Sequence, residues 1–141
     1  MTRAEFRVKD GSLHFHWDEV VPHDRRPLDA DAAERFEEWA ATYRDAQEKR
    51  DADERLLKLG HEMFDWLNGD QRWVELVCEA AQPPLIVEFA APLHPNDSDK
   101  LFLCAPWELL AHAKDHLAAD PNTLYCPVRR LGEAGEPVEA S

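Results

Sequence analysis

Asp10-Gly11 stands between two runs that each alternate apolar and polar residues, Ala4-Glu5-Phe6-Arg7-Val8-Lys9 before it and Ser12-Leu13-His14-Phe15-His16-Trp17 after it. A tight two-residue connection between antiparallel strands needs positive φ at both positions, and Asp-Gly suits that demand. With Asp10-Gly11 as the loop, Lys9 pairs with Ser12 and the rest of the register follows. Val8 opposes Leu13, Phe6 opposes Phe15 and Ala4 opposes Trp17, all on one face. Arg7 opposes His14 and Glu5 opposes His16 on the other. A slip of one residue would turn every apolar side chain outward. Turn chemistry and hydrophobic period agree, so residues 4–17 are predicted to form a β-hairpin of fixed register.

Further along, Asp18 to Pro27 is charged, holds Pro22 and Pro27, and reads as an irregular connection. A helix is predicted from about Ala30, with Phe36, Trp39, Ala40, Tyr43 and Ala46 on one stripe. Asp29 is placed to cap it, and Asp31 favours its first turn. A second helix carries Leu56, Leu59, Met63, Phe64 and Leu67 on a stripe that runs through Gly60. Glycine inside a helix costs roughly 1 kcal/mol relative to alanine, and is tolerated best where a neighbour packs close. Asn68-Gly69 ends that helix. Asp70 is placed to cap a third, with Trp73, Leu76, Val77 and Ala80 inward and Pro83-Pro84 as its stop. Leu85 to Ala90 reads as a strand, Pro92 to Lys100 as a polar loop, and Leu101 to Cys104 as a second strand. Pro106 suits the first turn of a helix in which Trp107, Leu110, Ala111 and Lys114 share a face. Leu124 to Arg129 reads as a third strand, where Pro127 points to an edge. Gly132 to Ser141 has the composition of a flexible linker or tail. The expected fold is α/β: a single domain over residues 1–131, with helices packed on a small mixed sheet that includes the Leu85, Leu101 and Leu124 strands.

Composition bounds the partners. The chain has 141 residues, enough for one domain with a core, and a formal net charge of −13. Nucleic-acid and anionic-membrane binding draw on clustered Lys and Arg, which an acidic chain with no long basic run does not offer. No stretch approaches the roughly 20 apolar residues of a bilayer span, and no run of signal-peptide length stands near Met1. A cytoplasmic location is expected. Cys78, Cys104 and Cys126 are widely spaced with no CxxC pair, so they read as buried reduced thiols, and no cofactor is expected.

The last third has a specific pattern: Ala105-Pro106-Trp107-Glu108-Leu109-Leu110, an apolar-Ala step at Leu117-Ala118, and a strand running into Arg129-Arg130-Leu131. This resembles the front part of CHAT domains, a bacterial caspase-like family, whose pattern is Pro-Trp-Glu-Leu-Leu, an apolar-Ala step and an arginine-bearing strand. The resemblance covers residues 56–131 and also takes in the Leu59-Gly60 helix and the Leu85 strand. It implies a partial caspase-like architecture with the N-terminal hairpin added. It further implies that the His and Cys of a cysteine peptidase lie beyond Ser141. This chain would then be the non-catalytic scaffold, with Pro106, Trp107, Glu108, Leu109 and Leu110 as the structural motif and Arg129 and Arg130 as contacts for a ligand or partner. The partners implied are the missing C-terminal half of the domain, a protein or peptide, and a second copy in a symmetric homodimer through an uncovered apolar face. The alternative is a stand-alone protein-interaction module without peptidase activity.

Other clusters carry chemistry on paper. Cys104 with His112 or His116 has the residue types of a thiolate pair, although a Cys at the end of an apolar strand reads as core. His14 and His16, with His23 and Asp18 nearby, have zinc-ligand types, although a polar hairpin face explains them as well. The acidic run from Asp45 to Glu54 reads as a solvated face. None is assigned a catalytic or metal role.

Overall fold

The computed structural model describes residues 1–17, 21–48, 52–112 and 115–132, with the backbone alone at 21 and 22. Of the expected tail at 132–141 only Gly132 is described, and its N–H donates to Ala91 O at 2.8 Å; the rest of the tail, Asp18 and Lys114 lie outside the described residues. The hairpin forms in the register that the turn dictates. β1 (Thr2–Lys9) pairs antiparallel with β2 (Ser12–Trp17), with Phe6 opposite Phe15 and Val8 opposite Leu13. Asp10 and Gly11 have φ of 52° and 73°. Ala4, Phe6, Val8, Leu13, Phe15 and Trp17 are all buried.

Among the described residues, five further strands and four α-helices follow in a mixed α/β arrangement. They are β3 (Val21–Pro27), α1 (Ala32–Ala46), α2 (Ala52–Asn68), α3 (Trp73–Ala80), β4 (Leu85–Ala91), α4 (Asp97–Cys104), the short pair β5 (Ala111–His112) and β6 (Asp115–His116), and β7 (Tyr125–Leu131). The main sheet has five strands in the order β3-β2-β1-β4-β7. β1, β4 and β7 run parallel, and β2 and β3 are antiparallel additions. β7 lies at an edge, where Pro127 is tolerated. The opposite edge is β3, within the segment expected to be irregular; an edge also accommodates its Pro22 and Pro27.

One level of the register builds the core. Phe6 of β1 stands opposite both Phe15 of β2 and Phe89 of β4. Their ring centroids lie 5.1 and 6.0 Å from that of Phe6. Trp73 of α3 stacks on Phe15 at 5.2 Å, and Trp107 stacks on Phe89 at 4.6 Å. The row is thus closed at each end by an indole. Phe36, Trp39, Trp66 and Phe102 from the helices pack edge-on or tilted around it. All of these residues but Trp66 belong to a single buried cluster, and Trp66 is half-buried against it.

Two elements differ from expectation. Leu101 to Cys104 is the second half of α4 rather than a strand. A four-residue apolar run suits either state, and the residues before it decide. The Asn96 side chain accepts from the Asp99 N–H at 2.8 Å, and Asp99 accepts from the Asn96 N–H at 3.1 Å, a capping box that starts a helix. Pro106 opens only a 3₁₀ turn, Trp107–Leu109, followed by the β5–β6 pair. The carbonyls that a helix would use are engaged elsewhere: Tyr125 Oη donates to Trp107 O at 2.8 Å, and a His116 ring nitrogen lies 2.7 Å from Leu109 O. Gly60 of α2 also faces that turn, and a methyl group there would overlap the Leu109 carbonyl. This close approach is the reason for a glycine inside the α2 stripe.

The caps are also redistributed. Asp31 occupies the cap position of α1 without a side-chain cap bond. At α3 the residue at the cap position is Arg72 with φ of 57°, and Asn68 rather than Asp70 receives a helix N–H, that of Glu75, at 3.0 Å. Cys78 is half-buried, whereas Cys104 and Cys126 are exposed, contrary to the buried reading of all three.

Trp107→Ala should lower stability by roughly 3–5 kcal/mol, because a fully buried indole is truncated. Gly60→Ala should cost about 1–3 kcal/mol through overpacking against the turn. Glu108→Gln, at a solvent-exposed ion pair, should cost under about 1 kcal/mol. Denaturant unfolding of the three variants checks this order, and an unchanged midpoint for Trp107→Ala would remove the motif from the scaffold.

Candidate functional site

Strand alternation sends every second side chain of the sheet away from the aromatic cluster. On β1 these are Glu5, Arg7 and Lys9; on β2, His14 and His16; on β4, Ile86, Glu88 and Ala90; on β7, Cys126, Val128 and Arg130. None of them belongs to the core cluster. Among the described residues, two ion pairs order this polar face. Arg7 Nε donates to Glu5 Oε1 at 3.0 Å, and its Nη2 donates to Gly132 O at 2.8 Å. Arg130 Nη2 donates to Glu88 Oε1 at 2.6 Å. Arg7 and Glu88 are each only 5% exposed, so both charges are held by partners away from bulk water.

Toward the β3 edge the polar face forms a cleft of about 520 Å³, lined by Glu5, Arg7, Lys9, Asp10, His14, His16, His23 and Arg25. Its floor is set by an irregularity in pairing. His14 opposes Arg25 and Phe15 opposes Asp24, but Trp17 opposes Val21, so β3 carries an extra residue beside His16. His23 lies just inside that shift, diagonal to His14. Their rings meet with His14 Nδ1 2.8 Å from His23 Nε2. One nitrogen must donate and the other accept, so a single additional proton leaves the bond intact and a second breaks it. Burial holds the His14 imidazole below its usual value, and positive charge on His23, Arg25 and Lys9 adds to this against a backbone hydrogen bond at Lys9.

The histidines predicted as zinc-ligand types are therefore brought together in part. His14 and His23 touch and His16 shares their face, but among the described residues no group of three His, Cys, Asp or Glu is placed to hold a metal ion. The Cys104 pair is not assembled: Cys104 ends α4 on the surface, His112 stacks on Phe64 at 4.6 Å, and His116 is engaged with Leu109. The Cys78 thiol is pushed up to about 11, by burial first, which suppresses its thiolate.

Pro106, Trp107 and Leu110 are buried and Leu109 is half-buried, with Glu108 at the surface. Arg129 and Arg130 leave β7 on opposite faces. Arg129 donates to Leu103 O at 2.5 Å and Ala105 O at 2.7 Å, and pairs with Glu108. A single ligand held by both arginines at once is therefore not available, and each is engaged within the chain. Lys9 and Arg25 were not singled out from the sequence. The alternation His23-Asp24-Arg25 was the available signal, and the flanking prolines hid it.

No family model matches the chain, and neither a curated protein nor a solved structure matches it.

The depressed His14 value fixes a sign. In the unfolded chain His14 titrates near about 6.5, and the folded protein binds its proton less readily. The folded state is then at full stability above that pH and loses stability as pH falls from the unfolded value through the folded one. Between about pH 7.5 and pH 5.5, above most carboxylate titration, the melting temperature should fall with pH, and fall less steeply in His14→Gln. Parallel curves for the two proteins would show that the His14–His23 contact does not control this window.

Proposed function

We propose that the chain is the non-catalytic front part of a CHAT-type, caspase-like domain and scaffolds a His/Cys catalytic half that follows it. One observation supports this reading above the others: the two segments that carry the resemblance hold each other. Glu108 of the Pro-Trp-Glu-Leu-Leu motif pairs with Arg129 of the arginine strand, and Tyr125 of that strand donates to the Trp107 carbonyl. Arg129 also gathers the carbonyls that lead into the motif, those of Leu103 and Ala105. The motif residues thus bring α4 and its following turn to the edge strand of a parallel trio, β1-β4-β7. Beyond β7 the backbone groups of that edge are the place where a further strand would add. In this reading Arg129 and Arg130 position the edge strand, and any contact with a partner goes through that edge.

A second reading, a stand-alone protein-interaction module, is favoured by a different observation. Among the described residues the exposed large apolar side chains are Met1 and Leu124 alone. The described part of the sheet's other face carries ion pairs and histidines.

The reading frame after Ser141 separates the two. A strand ending in a His-Gly-like step, followed by a strand ending in Cys, is the expected result; their absence would overturn the peptidase reading and leave the interaction module. The chain by itself should cleave nothing in a mixed peptide library. Cleavage that disappears in Cys104→Ala would contradict the scaffold role.

A further inference from the structure

The two edges of the main sheet differ in what they offer another strand. On β3, Pro22 and Pro27 have no N–H, and the N–H of Arg25 between them is taken by Asp24 Oδ1 at 2.8 Å. A strand laid along that edge finds few donors. β7 is open. Leu85 N–H donates to Leu124 O at 3.1 Å and Gly132 N–H donates to Ala91 O at 2.8 Å, so the even-numbered residues of this stretch turn their backbone groups to β4. The N–H and C=O of one strand residue point the same way, and those of the next residue point the other way. Tyr125, Pro127, Arg129 and Leu131 therefore turn theirs outward, and among the described residues none of these backbone groups has a partner.

Two further features mark this edge. It is a neutral strip of a chain whose net charge is −13: β7 holds no carboxylate, and its two arginines are paired with Glu108 and Glu88. Leu124, which leads into it, is 53% exposed and has φ of 48°, an unfavourable backbone conformation for a bulky apolar residue.

The strand is also complementary to itself. Laid antiparallel against its own copy with Val128 opposite Val128, it sets Tyr125 opposite Leu131 and Pro127 opposite Arg129. Every outward N–H of β7 then meets a carbonyl, and Pro127 costs only a bond to the Arg129 carbonyl at the rim. Arg130 falls opposite Cys126, and the exposed Leu124 opposite Gly132. Moving the twofold axis to Arg129 or Arg130 sets like charges opposite each other, and moving it to Pro127 loses the central bonds. We propose that the open edge of β7 pairs antiparallel with the same edge of a second copy, about a twofold axis at Val128, so that two sheets become one. The inference rests on the interaction-module reading, because a strand from a following catalytic half would take the same edge.

Sedimentation equilibrium across a concentration series, in about 0.15 M salt to screen the repulsion of two acidic molecules, should show a monomer–dimer equilibrium. Val128→Lys sets like charges at the axis and should weaken association about tenfold. Leu131→Pro removes an outward N–H, leaves the bonds to β4 in place, and should weaken it as well. In a Cys104→Ser, Cys126→Ser background, Val128→Cys should form a disulfide-linked dimer with diamide as oxidant. Residues opposed in this way hold their Cα atoms about 4.5 Å apart, within disulfide range. Glu38→Cys, at an exposed position of α1, is the control. Circular dichroism confirms that each variant folds. A monomer at every concentration, a dimer that Val128→Lys leaves unchanged, or cross-linking at Val128→Cys no faster than at the control would each overturn the edge pairing. The interaction-module reading is decided separately, by the reading frame after Ser141, so the two fail independently.

Discussion

Three phenylalanines at one level of the sheet, Phe15, Phe6 and Phe89, carry the rest of the structure. Their line is a consequence of register, and the register is a consequence of a two-residue turn. Once Lys9 pairs with Ser12, Phe6 must face Phe15, and the parallel pairing of β1 with β4 adds Phe89. Aromatic side chains bury a large area each and favour offset or edge contacts, so the row exposes two ends that only another flat ring fills well. Trp73 and Trp107 fill them. Through Trp73 the row fixes α3. Through Trp107 it fixes the turn that touches Gly60, the Glu108–Arg129 pair and the Tyr125 hydrogen bond. The hairpin and the motif-bearing last third are therefore parts of one core.

The same alternation that places rings on one face places charge on the other. Arg7 and Arg130 each satisfy a carboxylate there, and the shift in β3 turns His23 toward His14. Arg26, whose side chain leaves the core side of β3, stacks 4.7 Å from the Trp73 ring and donates to the Leu67 carbonyl at 3.0 Å. It satisfies carbonyls at the C-terminal end of α2, where positive charge is favoured. The β3 edge is thus held to the helices by a cation on one face while it presents histidines and Arg25 on the other.

How much of this could be read from residues alone depended on whether two independent local signals agreed. At the hairpin, turn type and period 2 pointed to one register, and it formed. At Leu101 to Cys104 there was one signal, apolar character, and the capping box at Asn96 and Asp99 was the stronger determinant. At Pro106 the local preference for a helix start was real, but tertiary partners of the Trp107 and Leu109 carbonyls outweighed it. β3 was hidden because proline and charge argue against an internal strand, whereas an edge strand tolerates both. The polar-face cleft needed the β2–β3 pairing shift, which follows from three-dimensional closure and has no mark in the sequence.

The claim that one row of rings couples the two halves is best tested by a double-mutant cycle between Phe89 and Trp107, with each replaced by leucine. Stacked rings in contact should show a coupling of about 0.5–1.5 kcal/mol beyond the burial each loses. Stability changes that add to within about 0.3–0.5 kcal/mol would mean that the two residues act independently, and that the row does not hold the motif to the sheet.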